Sequence, residues 1–144
     1  MPYEELLNRG HIRPYVASGT EVKRLLSIAK RDLSTSEAIL SKDPDWSYNI
    51  TYNAVLQSSR ALMFSKGFRP RGEGQHATVV RFIRETLGQE FYDLVELFDQ
   101  MRRKRNRIVY EMTSLVGNKE AKEVLAIARR FVSLMNDLIS ESID

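Results

Sequence analysis

Apolar side chains recur along this chain at intervals of three and four residues, the spacing that fills one face of a helix rather than one face of a strand. Val22, Leu25, Leu26, Ala29, Leu33 and Leu40 predict a first main helix from near Ser18 to about Leu40, closed by the turn-forming run SKDPDW. A second is expected with Asp45 as its N-cap, ending at Gly67 with Pro70 beyond. Within it Ala54, Ser58, Ala61 and Ser65 form a stripe of small residues that lets a neighbouring helix approach closely. Val79, Val80, Phe82, Ile83 and Leu87 face the core from a third helix, about His76 to Leu87, stopped by Gly88. The fourth is expected to be the longest, about Gln89 to Leu115, because neither Gly nor Pro interrupts the chain before Gly117. A fifth, about Lys119 to Ser140, buries Val124, Leu125, Ala128, Val132, Met135, Leu138 and Ile139, and SESID reads as a frayed tail. A short leading helix, about residues 3–9, stops before Gly10 and Pro14. No segment alternates cleanly between turns, so no sheet is expected. The fold class is all-α, an antiparallel up-and-down bundle of four main helices plus a short N-terminal helix, in a single domain whose core runs from about 18 to 140.

Composition narrows the chemistry. At 144 residues with 42% hydrophobic content the chain buries a core without disulfides or a structural metal. With no Cys and two imidazoles, His11 and His76, thiolate zinc sites, thiol nucleophiles and His-rich metal sites are excluded, and no metal or cofactor is expected. No apolar run reaches the roughly 20 residues of a membrane span, and MPYEELLNRG lacks the order of a signal peptide, so a cytoplasmic protein is expected.

A net charge of +3 is modest, but its distribution is uneven. Five of the six residues from Arg102 to Arg107 are basic, directly after EFYDLVELFD with its four acids. In the fourth helix Phe91, Leu94, Phe98, Met101, Arg105, Ile108 and Met112 fall on one stripe, so Arg105 stands where an apolar residue is expected. An unpaired buried guanidinium is costly, and Arg105 therefore requires a partner or a cleft. Asp99, Arg103, Asn106 and Tyr110 form a polar row on the adjacent flank. Arg offers a planar fork for phosphate, Asn bonds a base edge or backbone, and Tyr stacks or donates. The plainer reading is a solvated basic face paired with acids one turn away. Glu90, Asp93, Glu96 and Asp99 read in the same way as a solvated acidic face, Trp46, Tyr48 and Tyr52 as aromatic packing at a helix start, and RPRGEGQH as a connection that uses Gly for positive φ. His76, at the start of the third helix, reads as a surface residue; the alternative is that it approaches Arg105 from the neighbouring helix.

TYNAVLQSSRALMFSKGFRPR, with its Tyr52-Asn53 pair and the exit-loop Gly67 and Pro70, followed by RNRIVY on a long helix, resembles the HEPN superfamily of helical-bundle proteins. The resemblance spans about Thr20 to Ile139. Active members carry Arg, often followed by Asn, and a His four to six residues after the Arg; Arg105 and Asn106 match, and Tyr110 stands at the His position. The resemblance is greatest to a branch of small prokaryotic proteins with Tyr in that place, often paired with a minimal nucleotidyltransferase. It implies a nucleotide- or RNA-phosphate-binding module using Arg102, Arg103, Arg105, Asn106 and Tyr110. It further implies a homodimer through the face carrying Arg105, and a two-component toxin–antitoxin or nucleotidyltransferase pair whose second chain is separate. Since a phenol titrates near 10, Tyr110 is a poor general base at neutral pH, and a non-catalytic role is expected. The alternatives are a metal-independent ribonuclease toxin using Arg105 and Tyr110, and a helical adaptor whose basic run docks an acidic protein.

Overall fold

The computed structural model describes residues 2–111 and 115–143. Its order is α1 (Glu4–Asn8), β1 (Ile12–Pro14), α2 (Gly19–Ile39), α3 (Pro44–Ser65), β2 (Phe68–Pro70), α4 (Gln75–Thr86), a single 3-10 turn (Gln89–Phe91), α5 (Tyr92–Glu111) and α6 (Asn118–Ile143). The fold is all-α, with the long helices in an antiparallel bundle, as the apolar periodicity requires. No helix among the described residues is long and apolar enough to cross a membrane.

α3 is the central element and packs against α2, α4, α5 and α6. Its apolar residues are not confined to one stripe, and Tyr48, Tyr52, Ala54, Val55, Leu62 and Met63 are all buried, as expected of a helix covered on most sides. Ala54, Ser58 and Ala61 are wholly buried and leave room for the neighbouring backbones. Between α2 and α3 three buried hydroxyls close on one another, Ser36 to Ser47 at 2.7 Å and Ser36 to Thr51 at 2.6 Å, so their burial leaves no polar group unsatisfied.

Helix starts follow their side-chain chemistry. Ser18 opens α2 with a capping box, accepting from the Glu21 N–H at 3.1 Å while the Glu21 carboxylate accepts from the Ser18 N–H at 3.3 Å. The N-cap of α3 is Asp43, not Asp45 as the sequence suggested: Asp43 accepts from the Trp46 N–H at 3.0 Å, and Pro44 takes the first helical position, where a missing N–H costs nothing. Asp45 is thereby available for a distant partner. Its Oδ1 accepts from the N–H groups of Leu115 and Val116, at 3.1 and 2.9 Å, and ties the start of α3 to the segment joining α5 and α6.

The expectation of no sheet is overturned by a small two-stranded sheet whose strands flank α2 and α3 in the chain. β1 and β2 pair antiparallel with Ile12 opposite Pro70, Arg13 opposite Arg69 and Pro14 opposite Phe68. Three-residue strands ending in Pro are too short for alternation to register in the sequence; buried contacts fix them instead. Ile12 is buried, and Tyr3 from the α1 entry stacks on Phe82 at 4.2 Å and meets the edge of Phe68 at 5.3 Å. Gly67, at φ +92°, makes the turn out of α3 into β2.

Two helix boundaries also differ. The fourth predicted helix begins as the 3-10 turn before α5, and Leu115 is not helical; Met112 lies outside the described residues. α6 continues through the SESID segment to Ile143, because Ile139 is buried and neither Gly nor Pro stops the last turn. Phe131, absent from the expected buried face of α6, is fully buried against Phe98 of α5 at 5.7 Å.

Candidate functional site

Arg105 lies on α5 one turn after Met101 and three residues before Ile108, both buried, and it is itself half-buried. Its guanidinium does not enter the core. It lines a cavity of about 250 Å³ together with Asp32 of α2, Trp46, Asn49, Ile50, Tyr52 and Asn53 of α3, His76 of α4 and Val109 of α5. A second cavity of about 310 Å³ shares Arg105, Asn53 and His76 and adds Leu56, Gln57, Arg60, Pro70, Gln75 and Val79. The two are lobes of one cleft with Arg105 and His76 between them. One lobe is aromatic and carries the acid Asp32; the other carries two cations.

Arg105 donates from Nη1 to Asn106 Oδ1 at 3.3 Å, and among the described residues no carboxylate lies within 4.0 Å of it. The demand that the sequence placed on Arg105 is met by a cleft rather than by an acid.

A chain of hydrogen bonds runs along the cleft wall. Asn53 Nδ2 donates to the buried Asp32 Oδ2 at 2.7 Å, Gln57 Nε2 donates to Asn53 Oδ1 at 3.1 Å, and Arg60 Nη1 donates to Gln57 Oε1 at 2.9 Å. These three α3 side chains are four and then three residues apart, so they stack on one face of the helix. Asp32 Oδ1 also accepts from the exposed Arg31 at 3.2 Å. Asn49 Oδ1 on the wall of the aromatic lobe is buried, with no hydrogen-bond partner among the described residues.

His76 Nδ1 and the Tyr52 hydroxyl are 3.0 Å apart. Burial raises the Tyr52 pKa, against the pull of Arg102 and Arg105, so the phenol keeps its proton. Partial burial lowers the His76 pKa, and the nearby Arg105, Arg60 and Arg102 lower it further, so the imidazole is neutral at pH 7. The cationic lobe therefore carries charge from arginines alone. Fixed donors, two guanidiniums and no facing carboxylate suit it to an anion with several acceptor oxygens.

The structure divides the residues singled out from sequence. Arg105 lines the cleft and Asn106 steadies its guanidinium. Arg102 lines neither lobe; its Nε and Nη2 both donate to Asp99 Oδ1 at 3.0 Å, although its charge reaches Tyr52 and His76. Arg103 pairs with the other oxygen of Asp99 at 2.8 Å and points to solvent. Tyr110 is 81% exposed and lines neither lobe. For Arg102 and Arg103 the plainer reading, cations paired with acids one turn away, describes the contacts. Likewise Glu96 pairs with Arg84 at 2.6 Å.

His76, by contrast, does stand in the cleft with Arg105. Trp46 is no packing residue: it is 55% exposed at the aromatic lobe, while Tyr48 and Tyr52 are buried. Asp32, Gln57 and Arg60 were not anticipated, although the spacing of Asn53, Gln57 and Arg60 displays a polar stripe on an otherwise apolar helix.

No curated protein and no solved structure matches this chain. The HEPN domain model matches residues 22–138, a span that takes in α2 to α6 and every residue of the cleft. The chain belongs to the HEPN family.

Proposed function

We propose that the chain binds the phosphate of a nucleotide or of RNA in the cleft between α3, α4 and α5, without catalysing its cleavage. The observation that carries this reading is Arg105, a half-buried guanidinium with no carboxylate within 4.0 Å among the described residues, sharing a lobe with Arg60 and a neutral His76. Phosphate would accept from both guanidiniums, and the exposed face of Trp46 in the other lobe offers a base a stacking surface. Lack of catalysis is supported by Tyr110, which stands at the motif His position yet lies outside the cleft.

Trp46 is the chain's single tryptophan, so binding reports on itself. A ribonucleoside monophosphate is expected to quench Trp46 fluorescence, and Arg105→Ala to weaken binding at least about tenfold, the loss of one charge-assisted bond. Equal binding of the unphosphorylated nucleoside, or no change in Arg105→Ala, would overturn the reading.

The ribonuclease reading has one observation in its favour, His76 beside Arg105. In the tautomer that donates from Nδ1 to Tyr52, Nε2 is an acceptor able to take the 2′-hydroxyl proton. Metal-free cleavage of RNA that is lost in His76→Ala while binding persists would establish it. A homodimer through the Arg105 face and a separate nucleotidyltransferase partner rest on the family resemblance, and the sedimentation mass of the chain, alone and with such a partner, tests both.

A further inference from the structure

We propose that the β1–β2 sheet is a second phosphate subsite, continuous with the cleft, and that the ligand is a single RNA strand long enough to reach both. This rests on the Arg105 reading above and names the class of ligand it takes.

The first support is how charge is sorted. Arg81 pairs with Glu5, Arg84 with Glu96, Arg102 and Arg103 with Asp99, and Arg129 with Glu37. Arg13, Arg60, Arg69 and Arg105, in contrast, have no carboxylate within 4.0 Å among the described residues. Arg24, Arg71 and Arg130 share that property; Arg24 and Arg130 stand apart on exposed faces of α2 and α6, whereas Arg71 directly follows β2.

The second support is register. Arg13 sits directly opposite Arg69 across the two-stranded sheet, and like charges in that relation destabilise a strand pair. Both guanidiniums are held over the ring of Tyr15, at 5.9 and 4.9 Å. Tyr15 is itself fixed, donating its hydroxyl to the Glu21 carboxylate at 2.8 Å. The Glu21 carboxylate accepts from that hydroxyl and from the Ser18 N–H and forms no ion pair with either arginine.

The third is continuity. Tyr15 packs on Phe64 at 5.2 Å, Arg60 lies over Phe64 at 5.5 Å, and Arg60 lines the same lobe as Arg105. Pro70, next to Arg69 on β2, lines that lobe as well. The cations follow one path, from Arg105 through Arg60 to Arg69 and Arg13. Burial depresses the Arg60 pKa and the charge of Arg69 depresses it further, so the two guanidiniums lie within electrostatic reach of each other. A mononucleotide has phosphate for the cleft alone. An RNA strand leaving the cleft past Pro70 brings further phosphates to the β1–β2 sheet.

The test compares a single-stranded RNA of about ten nucleotides with a ribonucleoside monophosphate, across a salt series, on folded protein checked by circular dichroism. In Arg13→Ala/Arg69→Ala the RNA is expected to bind about tenfold more weakly, with a salt slope smaller by about 1, while the monophosphate binds as before. If that pair disturbs the two-stranded sheet, Arg13→Gln/Arg69→Gln keeps an unbranched stem with a polar, uncharged end and must give the same split. Unchanged RNA affinity and slope in a folded double variant, with Arg105→Ala still impaired, would refute the sheet subsite and leave the cleft reading standing. Unchanged binding of both ligands in Arg105→Ala would refute the cleft itself. Competition of RNA by polyglutamate at equal charge would also overturn the proposal, by showing an acidic protein surface to be as good a ligand.

Discussion

Arg105 offers a substitution whose effects on stability and on binding have opposite signs. Arg105→Met keeps an unbranched side chain of similar reach but removes the charge from a half-buried position between Met101 and Ile108. Burying a whole Met side chain contributes about 1.5–3 kcal/mol, so a half-buried one contributes about 1 kcal/mol. The variant gives up one long bond to Asn106 at 3.3 Å, worth about 0.5 kcal/mol at such a site. The net expectation is a stabilisation of about 0.5–1 kcal/mol, a rise in melting temperature of roughly 1–4 °C for a chain of this size. Binding moves the other way: a charge-assisted bond contributes about 1.5–3 kcal/mol, so affinity for a ribonucleoside monophosphate should fall roughly 10- to 150-fold. Calorimetric melting and Trp46 titration on the same samples give both numbers. A variant that melts earlier than the parent by the equivalent of 1 kcal/mol or more would refute the argument, since it would make the guanidinium a structural strut.

Asp45→Ala removes the acceptor of the Leu115 and Val116 N–H groups and is expected to cost about 2 kcal/mol, roughly 4–8 °C in melting temperature, with faster amide exchange at those two residues. His76 makes stability depend on pH. Its folded pKa lies below the usual 6.5, so the contribution present above pH 6.5 is lost as pH falls toward the folded value, and His76→Gln should flatten the melting temperature over that window. Bound phosphate neutralises the arginines that depress this pKa, so the His76 pKa followed by NMR should rise on adding a ribonucleoside monophosphate; no rise would place the anion elsewhere.

The long helices were legible because their cores are written in one repeating interval: Val79, Val80, Phe82 and Ile83 are all buried where that interval places them. Arg105 was legible for the converse reason, as a charge interrupting an apolar stripe. What could not be read depends on contacts between distant segments. The two-stranded sheet joins residues 54 to 58 positions apart, and the bonds of Asp45 reach seventy. The basic run misled in part, because which arginine meets an acid is decided by Asp99 lying one turn back, and composition weighs all five cations alike. Asp32 was hidden in an apolar face of α2, where its role depends on Asn53 of another helix.

The hydrogen-bonded row on the cleft wall has a direction. An ionised carboxylate only accepts and a guanidinium only donates, so with Asp32 at one end and Arg60 at the other, each amide between them has a single orientation. Neither Asn53 nor Gln57 can turn over without setting acceptor against acceptor or donor against donor. The row is thus a fixed line of dipoles, with its acceptor end in the aromatic lobe and its donor end in the cationic one. A guest with donors at one end and an anion at the other meets a cleft that already distinguishes head from tail, and Asn53→Asp, which turns one link into a repulsion, would erase that distinction without touching either arginine.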